Sequence, residues 1–96
     1  MSPRFALYGV DESVQILDLD GRPGWALVEM INAGSEGITA IDYPGVRLAD
    51  AIFKLRQVGL IIETIHESHG GEFKGRHARY KLRSKVERLV DLQVAA

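Results

Sequence analysis

Four polar residues recur at a spacing that brings them onto one side of a helix. Arg47, Asp50, Lys54 and Gln57 lie at i, i+3, i+7 and i+10, positions that form one continuous stripe in a helix of 3.6 residues per turn. Their chemistry is that of base edges in a nucleic-acid groove. A guanidinium grips both acceptors of guanine, a carboxamide matches the donor and acceptor of adenine, an ammonium meets guanine or phosphate, and a carboxylate accepts from the amino group of cytosine. The plain alternative is a solvated helix face, since every surface helix carries polar residues. Asp50 also speaks against phosphate contact unless it meets a donor.

A second group follows in the stretch HGGEFKGRHAR. Lys74, Arg76, His77 and Arg79 are of the types that neutralise phosphates or probe a minor groove, and Gly70, Gly71 and Gly75 permit close backbone approach. The alternative here is a solvated loop. Phe73, among these charges, either folds back onto a core or meets a partner. His66 and His69 raise the question of a metal. Three residues apart on a strand they point to opposite faces, no second pair of the zinc-finger type accompanies them, and the chain has no cysteine. No metal site and no cofactor is expected. Glu63, His66 and Glu67 stand beside no nucleophile motif and no phosphate-binding loop, so the chain is not expected to be an enzyme.

The overall charge of −1 conceals an uneven distribution. Residues 1–45 hold two Arg against seven Asp and Glu, while residues 73–88 hold seven Lys and Arg against Glu87 alone. A protein needs only one basic face to meet a polyanion. The 96 residues are enough for one modest core, and 46% hydrophobic and 26% charged residues are ordinary for a globular chain. Absence of cysteine excludes a disulfide framework. No apolar run approaches the roughly 18 residues that span a bilayer, and MSPRFALYGV does not have the pattern of a signal sequence. A cytoplasmic location is the expectation, with no membrane partner.

The elements that must hold these groups are legible from periodicity and turn residues. FALYGVDESVQILDL alternates in part and predicts a β-hairpin, or a strand with a leading arm, within residues 1–22. A first helix over about Pro23–Ala33 has Pro23 at its start and Gly34 as its stop. Ile38 reads as a buried strand residue. Thr39, with Asp42 three positions on, predicts a short second helix ended by Pro44-Gly45. A third helix over about Val46–Val58 buries Leu48, Ala51, Ile52 and Leu55, and Gly59 stops it. Strands follow over about Leu60–Ser68 and His77–Arg83, the second with Ala78, Tyr80 and Leu82 on one face and His77, Arg79, Lys81 and Arg83 on the other. Ser84-Lys85-Val86-Glu87 has the form of a capping box and predicts a C-terminal helix over about Lys85–Gln93, with Val86, Leu89 and Val90 apolar.

The whole predicts an α+β winged helix-turn-helix: a three-helix core with a β-hairpin wing over residues 23–83, an N-terminal arm or hairpin over 1–22 and a short C-terminal helix over 84–96. The stretch from Gly24 to Arg83 also resembles the small winged-helix domain proteins of alphaproteobacteria and their prophages. The segments that carry the resemblance are GITAIDYPGVRL ahead of the third helix, LRQVGLIIET after it, and HGG…GRHARYKL in the wing. What the resemblance implies is DNA binding by a regulator. The expected function is therefore binding of double-stranded DNA in transcriptional control, with Arg47, Asp50, Lys54 and Gln57 at the bases and Lys74, Arg76, His77 and Arg79 on the backbone. The rival is a protein–protein adaptor that never touches DNA and uses the acidic first half with Trp25 or Phe73. A homodimer built through residues 1–20 or 84–96 is a further expectation.

Overall fold

A computed structural model describes residues 3–44, 46–69 and 75–89. The expectations placed on Gly70, Gly71, Phe73, Lys74 and residues 90–93 lie outside the described residues. The chain opens with the expected hairpin. β1 (Arg4–Tyr8) and β2 (Val14–Asp18) pair antiparallel, with Arg4 opposite Asp18 and Tyr8 opposite Val14. Strand alternation sends Phe5 and Leu17 into the core and leaves Val14 and Ile16 outside.

Helix α1 (Gly21–Ala33) begins two residues before the expected Pro23. Pro23 thus sits in the third helical position, where its missing N–H is still one of the four that have no intrahelical partner. Gly24 is fixed by packing: a Cβ there would lie 2.2 Å from the Leu19 carbonyl oxygen. The helix buries Ala26, Leu27 and Met30 and stops at Gly34, whose φ is 60° and whose N–H reaches the Met30 carbonyl. A 3-10 turn (Gly34–Glu36) leads to the two-residue strand β3 (Ile38–Thr39). Gly37, at φ 68°, allows this close pairing, since a Cβ there would meet the Tyr80 carbonyl oxygen at 2.4 Å.

The short second helix is not formed; residues 40–44 make turns, and the described residues contain two α-helices rather than three. The capping contact itself is present. Thr39 Oγ1 accepts the Asp42 N–H at 3.2 Å and donates to Asp42 Oδ2 at 3.0 Å. Pro44 disfavours a helical conformation at Tyr43 and supplies no N–H, so the cap starts no helix. Tyr43 instead packs edge-on against Trp25, ring centroids 4.9 Å apart, and donates its hydroxyl to Glu29 at 2.8 Å. Trp25 is therefore half-buried against the core, not the free contact residue that the adaptor reading supposed.

Helix α2 (Leu48–Gln57) buries Leu48, Ala51, Ile52 and Leu55 as its periodicity requires. After Gly59 the chain enters β4 (Ile62–His69), which pairs antiparallel with β5 (Gly75–Leu82), Ile62 opposite Leu82 and His69 opposite Gly75. β3 adds to the other edge of β5, giving the order β3-β5-β4. Tyr80 is buried while Ala78 and Leu82 pack at the margin of the core, as the alternation predicts.

The predicted C-terminal helix is a strand. β6 (Lys85–Leu89) pairs antiparallel with β1, completing a second sheet in the order β2-β1-β6. Ser84 does not cap a helix, because its Oγ accepts the Ile61 N–H at 2.7 Å while the Arg83 N–H donates to the Ile61 carbonyl at 2.8 Å. This corner turns the chain directly onto the free edge of β1, where five cross-strand pairs outweigh the local helix signal. Tyr8 donates to Glu87 at 2.8 Å across that pairing.

Gly24→Ala tests the contact that seats α1. In a solvated helix Ala would stabilise by up to about 1 kcal/mol; here its Cβ is driven into the Leu19 backbone, and a net loss of about 2 kcal/mol is expected. Thermal unfolding should show a fall of roughly 8–16 °C for a domain of this size.

Candidate nucleic-acid interface

Burial of Leu48, Ala51, Ile52 and Leu55 fixes the rotation of α2 about its axis. The opposite side carries Ala49, Asp50, Phe53, Lys54 and Gln57, with Arg47 at the N-cap and Arg56 on the flank. The structure thus brings Asp50, Lys54 and Gln57 to one surface, while the helix starts two residues later than the expected Val46 and leaves Arg47 exposed at its non-helical N-cap. Lys54 and Asp50 are 3.7 Å apart as an exposed i, i+4 pair, an interaction worth only a few tenths of a kcal/mol and open to exchange for a ligand. Asp50 lies in the first turn and Lys54 in the last, each favourable for the helix dipole. A groove of about 450 Å³ runs beside them, lined by Asp20, Arg22, Asp50 and Lys54 among others. Its two carboxylates offset its two cations, so it carries no preference for an anion.

Arg56 ties this helix to the hairpin. Its guanidinium donates to the Ile62 carbonyl at 2.6 Å and to Thr64 Oγ1 at 2.7 Å. Thr64 shares a face of β4 with His66 and Ser68, and the cross-strand partner of Ser68 is Arg76. Arg76 and His66 are both exposed. One face of the hairpin therefore leads from α2 along Thr64 and His66 to Arg76, on the side of the sheet where Arg56 attaches.

His77 and Arg79, also predicted for the wing, stand on the opposite face. Glu67 accepts from Arg79 Nε at 2.8 Å and from His77 Nε2 at 2.9 Å, and Arg79 also donates to the Glu36 carbonyl at 2.9 Å. The Arg79 hydrogen bond, and after it that of His77, holds the Glu67 carboxyl below the usual carboxylate range; the same bond raises Arg79. Arg83 is likewise held by Glu63. His66 and His77 lie on opposite faces of the hairpin, so they do not converge. Lys74 lies outside the described residues. Of the predicted backbone contacts, Arg76 is the one that shares the helix side.

Three contributors escaped the sequence reading. Phe53 had a usable signal, because it falls opposite the buried stripe. Arg56 and Glu67 had none, since their roles rest on pairings across the β4–β5 hairpin.

Comparison with protein families decides the fold. A family profile described as Winged helix domain matches residues 16–91. The chain belongs to the winged helix domain family. The match begins within β2 and extends through β6, so this winged helix domain takes in part of the N-terminal hairpin and the C-terminal strand, beyond the resemblance over Gly24–Arg83. No helix of the described residues is long and apolar enough to cross a membrane. No curated protein and no solved structure matches this winged helix chain.

The Glu67 cluster gives a pH prediction with a definite sign. A carboxyl whose folded pKa is lowered contributes stability above its ordinary value, near 4.5, and loses it as pH falls through the lower folded value. Thermal melts between about pH 6 and pH 3 should show a steeper acid loss for the wild type than for Glu67→Gln, with the two curves converging at low pH.

Proposed function

We propose that this winged helix protein binds double-stranded DNA, with α2 in the major groove and the β4–β5 hairpin along the phosphate backbone, and that it acts in transcriptional control in a bacterium or phage. The carrying observation is the Arg56 link. It joins an exposed polar helix face to a hairpin whose Arg76 lies on the same side, so helix and wing meet a duplex as one surface. In this reading Arg47, Lys54 and Gln57 meet base edges and Asp50 a cytosine amino group. Arg76 takes phosphate, with Lys74 assigned the same task from the sequence. His77 and Arg79, bound to Glu67, set the wing's shape first and reach phosphate only by exchanging that partner. A second copy pairs through the N-terminal hairpin, where β2 is an edge strand of its sheet and leaves Val14 and Ile16 exposed.

Fluorescence anisotropy on duplex DNA tests this. Affinity should fall by about 0.9 log units per log unit of salt for each phosphate neutralised. Arg47→Ala or Gln57→Ala should cost a selected site about 1–3 kcal/mol and random duplex much less, whereas Arg76→Ala should weaken both alike. The same titration reads stoichiometry, two chains per site being expected. An absence of duplex binding at low salt would favour the adaptor reading.

A further inference from the structure

Phe53 is 59% exposed on the outward side of α2. It stands in a row with Ala49 one turn before it and Gln57 one turn after, all three exposed. The charged groups around this row are largely committed. Arg56 is bound to the hairpin and Lys54 faces Asp50, while Arg47 is exposed at the start of the helix. A benzyl side chain gains nothing from phosphate or from polar base edges. Within a major groove, the apolar group that offers it a surface is the C5-methyl of thymine.

We propose that Phe53 is a specificity-determining residue that packs on a thymine methyl, with Ala49 alongside, while Gln57 one turn on takes adenine. The central part of the site is then read as A·T pairs. This rests on the DNA-binding reading of the same helix. It differs from the polar stripe in its chemistry, because discrimination comes from an apolar contact that a polar substitution series would miss.

The test uses the full chain and a duplex selected by it from a random pool. Each thymine in the selected duplex is replaced in turn by deoxyuridine, which removes the methyl and leaves the Watson–Crick edge intact. At one or two positions the replacement should weaken binding about fourfold, the worth of one buried methyl. F53A should bind the unmodified duplex more weakly by at least that factor and be indifferent to the same replacement. F53L should retain part of the sensitivity. Because Phe53 is outside the core, F53A should melt with the wild type. A selected duplex indifferent to every replacement overturns the assignment, whatever F53A does, and leaves DNA binding standing. A wild-type chain that binds no duplex overturns the DNA reading and this inference with it.

Discussion

The burial of one side of α2 is the constraint from which the rest follows. Leu48, Ala51, Ile52 and Leu55 are almost completely removed from water. Rotating the helix by a single residue's angle would expose two of them and bury charge, at a cost of several kcal/mol. The outward residues are therefore not free to vary: Asp50, Phe53, Lys54 and Gln57 face solvent because their neighbours cannot. The core beneath is drawn from both sheets and α1, with Phe5, Leu27, Met30 and Tyr80 meeting α2's stripe in one cluster. Position and rotation of the exposed face are thus set by the whole domain.

Arg56 extends that rigidity beyond the core. Bonds of 2.6 and 2.7 Å to a strand carbonyl and a threonine hydroxyl fix the end of α2 against the base of the hairpin. On the far face, Glu67 bonds to His77 and Arg79 two registers apart, and Arg79 carries the connection to the turn before β3. The hairpin is therefore braced on both faces, by Arg56 near its base and by Glu67 further out beside Arg76, a useful property for a lever that must hold Arg76 at a fixed distance from the helix. The cost is that two residues legible as phosphate ligands, His77 and Arg79, are occupied.

Much of this was legible from residues alone. The stripe of α2, the N-terminal hairpin, the alternation of β5 and the stops at Gly34 and Gly59 are local patterns, and local patterns survive folding when the core agrees with them. The two failures were also local signals. Thr39 caps as its spacing predicted, yet Pro44 leaves no room for a helix. Ser84-Lys85-Val86-Glu87 has a capping form, but the edge of β1 was available, and the partner lies about eighty residues away in sequence. Glu67 and Arg56 were invisible for a related reason: the meaning of each depends on a cross-strand register or a turn that no spacing within one element reveals. Phe53 was the opposite case, visible in the helical wheel but outside a search for polar stripes.

The central claim is that the outward face of α2 and the Arg76 side of the hairpin together meet duplex DNA. Amide chemical-shift mapping on the labelled full chain, titrated with duplex at low salt, addresses it most directly. The account predicts the largest changes over residues 47–57 and around Arg76, with smaller matched changes at Val14 and Ile16 where the second copy joins on the outer side of β2. Changes confined to the acidic N-terminal half, with residues 47–57 silent, would contradict it.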